Sequence, residues 1–272
     1  MATIMQTAES TRPLVIYHND AGAGVITMDD PPANTYTYEM MRQLDDAILQ
    51  ARMDNDVHVI VLTGAGDKFF SAGANIRMLA TVDPTFKYYF CLHANETLLR
   101  LEHTPKLVIA ALNGHTVGGG LEIAMAADIR IGREGTADKI GLPEINLGVL
   151  PGTGGTQRLS RLVGKSKAIE LIVTGNTFSM EEGKEFGIVN DLYPKEKFLE
   201  SVLEYARQFC PPNKAARAVG RIKRAIQTGW EVPIEAALAL ERENQQLLFQ
   251  SEDAKEGLAA YVEKRPATFT AK

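Results

Sequence analysis

The chain has 272 residues with an apolar fraction of 45%, long enough for one large domain or a core with a smaller lobe. The formal charge of −5 opposes general nucleic-acid binding, and no apolar run reaches the roughly 18 to 20 residues of a membrane span. Two cysteines, Cys91 and Cys210, cannot build a disulfide framework and read as small core residues of a reducing compartment.

In chain order, MATIMQTAESTRPLV carries neither a secretory h-region nor an arginine-rich transit pattern, so a cytoplasmic protein is expected. LVIYHND and GVITMDD, joined across Ala21-Gly22-Ala23, predict a hairpin. PPAN breaks the chain, and residues 37–54 place Met40, Met41, Leu44, Ala47 and Ile48 on one helical face. VHVIVLTG and KLVIAAL read as buried strands flanking a helix at 86–101, with DIRIG and KIGLPEINLG following as short strand or loop segments. Past residue 195 the texture becomes helical, over 196–209, 214–228, 233–249 and 252–264, which predicts a second, helical lobe with either an oligomer contact or a plain cap as its role.

Familiar catalytic signatures are missing. GAGDKF starts like a dinucleotide fingerprint but has Phe69 at the third glycine, and GKS at 164–166 follows Leu159 where a phosphate loop needs glycine. There is no metal-spaced histidine or cysteine cluster and no serine elbow, and His115 reads as a loop residue or a satisfied core histidine.

Three segments remain: SAGANIRM, NGHTVGGGLE and GLPEINLGVLPGTGGTQRL. Glu122 falls just after three glycines at the start of a buried apolar helix, where an ionised carboxylate is costly without partners or a task. Glu144 follows 22 positions on, again among mostly apolar neighbours. Two carboxyls facing one cavity can share proton transfer, and glycine loops can aim N–H groups at a developing oxyanion. A helix cap and a surface turn are the bland alternatives.

In this order and spacing, SAGA-N-I, GGG-x-E, PE-x-x-LG and PG-x-GGTQRL resemble the crotonase (enoyl-CoA hydratase/isomerase) superfamily, over nearly the whole chain. The resemblance implies an α/β fold, a spiral of strand–strand–helix units over 12–195, with a helical C-terminal lobe over 196–272 for oligomerisation and CoA capping. It implies an enoyl-CoA hydratase adding water syn to a 2-enoyl-CoA. The N–H groups of Ala74 and Gly119 would form the oxyanion hole, Glu122 and Glu144 would be the catalytic pair, and Gly152 would help hold the water. CoA would lie along Ala72, Ala74, Ile76 and Arg77, with Lys264 reaching the CoA of a neighbouring subunit. No metal or redox cofactor is implied, coenzyme A being part of the substrate, and assembly would be as trimers or dimers of trimers.

Asn75 stands where aspartate is usual, and Gln245 where some relatives have an aromatic residue. Isomerisation or a specialised hydration or dehydration in the same site, a binding protein on this fold, and a thioester hydrolase or decarboxylase are the rivals. Phe86, Tyr88, Tyr89 and Phe90 are expected as an acyl-pocket wall, with core or subunit contact as the alternative.

Overall fold

A computed structural model describes residues 12–272, so most of the N-terminal stretch read for targeting signals lies outside the described residues. Strands β1 (Val15–Asp20) and β2 (Ala23–Met28) pair as the antiparallel hairpin. Ala21 and Gly22 both take positive φ in its two-residue turn, the backbone that matches strand twist. Helix α1 (Tyr38–Met53) starts on the Thr37 side chain, which accepts from the Met40 N–H, and buries Met40, Met41, Leu44, Ala47 and Ile48.

Three further turns of chain repeat one plan. Strands β3 (Val59–Gly64), β5 (Leu107–Leu112) and β7 (Ile129–Glu134) extend the large sheet in parallel. The next strands, β4 (Phe69–Ser71), β6 (His115–Val117) and β8 (Ile140–Gly141), form a separate three-stranded sheet. Helices follow: α2 (Ile76–Leu79) and α3 (Pro84–Glu102) after β4, and α4 (Gly119–Met125) after β6. A 3-10 turn (Glu144–Leu147) follows β8, then α5 (Gly155–Val163), α6 (Lys165–Thr174) and α7 (Met180–Glu185). Strand β9 (Asp191–Pro194) closes the six-stranded order β1-β2-β3-β5-β7-β9.

The large sheet is covered on both faces, which is why its central strands are apolar throughout. Ile60, Leu62, Val108, Ala110 and Leu112 face α1, α3 and α4. Val59, Val61, Ile109 and Ala111 face the other way, onto Phe198, Val202 and Ala206 of α8 (Phe198–Arg207) and onto Cys210. The helical C-terminal region thus divides by what it touches. Helix α8 completes the sheet's second layer, while α9 (Ala216–Trp230), α10 (Ile234–Phe249) and α11 (Glu252–Glu263) form the lobe that follows.

Candidate active site

The short strands β4 and β6 each run into a glycine or alanine loop, and β8 runs into the turn that carries Glu144, all at one place. Each glycine of the triplet is required by a different neighbour. Gly118 has φ +55° and ψ −133°, a backbone closed to L side chains, and a Cβ there would lie 3.0 Å from the Glu144 Oε1. A Cβ on Gly119 would overlap the Tyr36 hydroxyl, and one on Gly120 would overlap the Ser71 carbonyl oxygen. Gly119 therefore begins α4 with its N–H uncommitted among the described residues, at the positive end of a short helix.

Ala74 is held alongside. The Tyr36 N–H donates to the Gly73 carbonyl at 2.9 Å and the Asn75 N–H donates to the Tyr36 carbonyl at 2.9 Å. That bridge skips the Ala74 N–H, which likewise makes no hydrogen bond among the described residues. A Cβ on Gly73 would come within 2.7 Å of the Gly119 nitrogen, so the two loops are in backbone contact. Two free N–H groups on touching loops are the donors an oxyanion needs.

Glu122 is 2% exposed. Its Oε1 accepts from the Thr153 N–H at 2.7 Å, in the turn preceding α5, and from the Gly155 N–H at 2.6 Å, at the first residue of α5. A Cβ on Gly155 would sit 2.9 Å from that oxygen, so glycine is what lets the N–H close in. Burial pushes the Glu122 carboxyl above its ordinary value, and the two N–H donors oppose the rise. Arg158 braces the turn: it donates to both oxygens of Glu102 on α3, at 2.8 and 2.6 Å, and to the Thr153 carbonyl at 3.1 Å.

Glu144 opens the 3-10 turn after β8 and aims its Oε1 at Gly118, while its Oε2 is buried with no protein partner among the described residues. Burial first, and then the charge of Glu122, lift its carboxyl to about 7. The Glu122 carboxylate takes the first N–H of α5, from Gly155, so it does cap a helix distant in sequence, while Glu144 stands in a turn with its carboxyl largely buried.

Gly152 borders the same space, its carbonyl accepting from the Asn95 amide at 3.5 Å and its N–H free among the described residues. Of the residues expected along the CoA, Ala72 is fixed by its N–H donating to the Ala33 carbonyl at 2.9 Å. Ile76 and Arg77 lie exposed on α2, and Lys264 lies exposed at the end of α11. Asn75 serves α2 as its N-cap, its side-chain oxygen accepting from the Met78 N–H at 3.0 Å, a task asparagine performs as well as aspartate.

Two expectations change. Phe86, Tyr88, Tyr89 and Phe90 do not form one wall, because consecutive helical residues turn by 100°. Phe90 is buried, with Phe86 stacked on it at 6.2 Å, whereas Tyr88 and Tyr89 are 65% and 60% exposed. Cys91 is half-buried with its sulfur beside Gly152, so it borders the site; Cys210 is the core cysteine. His115 is satisfied, its Nδ1 accepting from the Lys139 N–H at 3.0 Å.

The sequence reading missed Tyr36, Thr153, Gly155 and Lys87. Tyr36 is 2% exposed, its hydroxyl 2.9 Å from the Thr153 hydroxyl and against Gly119. Only the glycine pair of PGTGG, Gly154 and Gly155, offered a signal, for a backbone that something approaches closely.

The model for the enoyl-CoA hydratase/isomerase family matches residues 18–272. The chain belongs to the enoyl-CoA hydratase/isomerase family. It is 37% identical over 252 residues to a short-chain-enoyl-CoA hydratase of Clostridium acetobutylicum, covering 92% of this chain and 95% of that one. A crotonyl-CoA hydratase of Syntrophomonas wolfei is 34% identical over 95% of this chain and 98% of its own. The crystal structure of an enoyl-CoA hydratase from Geobacillus kaustophilus superposes with a TM-score of 0.93 at 44% identity, over 97% and 98% of the two chains. The reaction is thus of the enoyl-CoA hydratase/isomerase type on an acyl-CoA, on the α/β fold with a C-terminal helical lobe expected of the crotonase group.

Proposed function

We propose that this protein is an enoyl-CoA hydratase, adding water reversibly and syn to a 2-enoyl-CoA to give a 3-hydroxyacyl-CoA. The observation that carries the reading is the pair of carboxyls in different settings. Glu122 is fixed by two backbone N–H groups, while Glu144 keeps a buried, unpartnered oxygen and a pKa lifted to about 7. Environments that differ in this way suit one group as base and the other as acid near neutral pH.

In hydration, Glu122 takes a proton from a water that the Gly152 N–H helps orient, and the water oxygen bonds to carbon 3. The displaced π electrons move to the thioester oxygen, which the Ala74 and Gly119 N–H groups stabilise. Glu144 then delivers its proton to carbon 2 and the thioester carbonyl re-forms. Losing one such oxyanion donor typically costs about 100- to 1000-fold in rate.

For the CoA, we assign backbone at Ala72, Ala74 and Ile76, with the cations Arg77 and, from a neighbouring subunit, Lys264. Assembly as trimers or dimers of trimers is supported by the apolar surface of the C-terminal helices, where Trp230 is 75% exposed. A hollow of about 600 Å³ on α10, lined by Gln245 and Phe249 among others, lies on that lobe and contains neither glutamate.

The test is the loss of enoyl-thioester absorbance with crotonyl-CoA. Wild type should consume it, and Glu122→Gln and Glu144→Gln should each fall about 100- to 10,000-fold. Isomerisation needs only Glu144 in this scheme, so 3-enoyl-CoA isomerisation surviving Glu122→Gln while no hydration occurs in wild type would replace the hydratase reading.

A further inference from the structure

We propose that Lys87 makes the acyl end of this site a receptor for a carboxylate, so that the preferred ligand is a short acyl-CoA whose chain ends in an acid group. The inference rests on the hydratase reading at the thioester end and extends it at the other.

Lys87 stands one helical turn before Cys91 on α3, so both side chains leave the same face. That face meets the turn that grips Glu122: a Cβ on Gly152 would lie 3.0 Å from the Cys91 sulfur and 4.0 Å from the Lys87 ammonium. The ammonium also lies 5.5 Å from the centre of the Phe90 ring, which packs between Tyr36 and Phe86.

Lys87 is half-buried and makes no ion pair or hydrogen bond among the described residues. Arg158, the other cation whose charge reaches Glu122, is fully engaged by Glu102. The charge of Lys87 acts on both Glu122 and Glu144, yet it closes on neither. Glu122 is tied to the Thr153 and Gly155 N–H groups, and Glu144 is turned to Gly118.

An aromatic face compensates an ammonium for only part of its lost water. An anion would complete its set of partners, and in the hydratase reading the acyl chain runs from the Ala74 and Gly119 N–H groups past Glu122 toward Gly152, beside which Lys87 stands. A carboxylate there gains a charge-assisted hydrogen bond, whereas a methyl end leaves the ammonium stranded. Phe90 and Phe86 meanwhile pack the methylenes of such a chain as they would those of any acyl group.

The experiment is titration calorimetry of the full-length protein with glutaryl-CoA and pentanoyl-CoA, which have the same number of acyl carbons and differ at the terminal group. Wild type should bind glutaryl-CoA about 10- to 100-fold more tightly, the range of a hydrogen bond to a charged group. That ratio should collapse in Lys87→Met and persist in Lys87→Arg. Pentanoyl-CoA binding as tightly as glutaryl-CoA to wild type overturns the proposal. So does an equal ratio in wild type and Lys87→Met, which would leave Lys87 acting on the glutamates alone. Hydration of glutaconyl-CoA and 2-pentenoyl-CoA is followed in parallel. A glutaryl preference without turnover of either supports Lys87 and strikes the hydratase reading; turnover without the preference does the reverse.

Discussion

Glu144 is the side chain whose chemistry the fold alters most visibly. Its folded pKa of about 7 lies above the ordinary 4.5, so the folded protein holds a proton that the unfolded chain releases. That contribution to stability is complete below pH 4.5 and is lost as pH rises through about 7. Glu144→Gln removes the ionisation, so its melting temperature should exceed that of wild type at pH 8, with the gap narrowing toward pH 5. Calorimetric melts across that range check it, and a variant less stable than wild type at pH 8 would count against the buried charge. If Glu144 delivers the proton as proposed, kcat/KM for hydration should fall above about pH 7, while dehydration of the 3-hydroxyacyl-CoA should rise through the same region. At this scale both glutamates and the glycine triplet were legible, since a carboxylate in an apolar helix is a local anomaly. Tyr36 and Lys87 were not. The Tyr36–Thr153 contact spans 117 positions, and Lys87 sits on a helix of ordinary composition.

The elements were readable because their patterns are local. Thr37, Asp83, Ser179 and Ser251 each cap the helix that follows through a backbone N–H, and the apolar periods match the buried faces. Which element packs on which was less readable. Helix α9 is tied to the sheet by Lys223, whose ammonium lies 2.8 Å from the Asp128 Oδ2 and 3.0 Å from the Lys106 carbonyl. Asp128 also accepts from the Val108 N–H and the Gln227 amide. Burial pushes Asp128 up and Lys223 down, each toward its neutral form, and their mutual attraction opposes both shifts. Removing one partner strands the other, so Lys223→Met should cost about 3 to 5 kcal/mol in urea unfolding. Adding Asp128→Asn should return part of that loss; a double variant as unstable as the sum of its single changes would mean that the pair does not act as a unit.

For the whole molecule, the apolar faces of the last three helices are the unfinished part. Ile226, Ile234, Phe249 and Tyr261 join Trp230 in exposing large side chains, a surface that a monomer in water seldom keeps. Sedimentation equilibrium should give a trimer or a dimer of trimers. Ile226→Glu combined with Trp230→Glu should lower the mass toward that of one chain if these helices form the contact. An unchanged assembly in that variant would move the contact to another surface.

The sequence by itself determined the first hairpin, α1, the buried strands β3 and β5, α3, the four C-terminal helices and the family's motif loops, because each is written in neighbours a few positions apart; α5 to α7 and the short strands β4, β6 and β9 carried too little local pattern to be read. It also fixed where the two carboxyls and three glycines fall along the chain. Only the tertiary structure decided that α8 covers the sheet, that Tyr36 lies against Gly119, and that Lys87 reaches the turn that holds Glu122. Burial and charge act through space, and the raised pKa of Glu144 and the approach of Lys87 to Gly152 exist only once distant segments have been brought into contact.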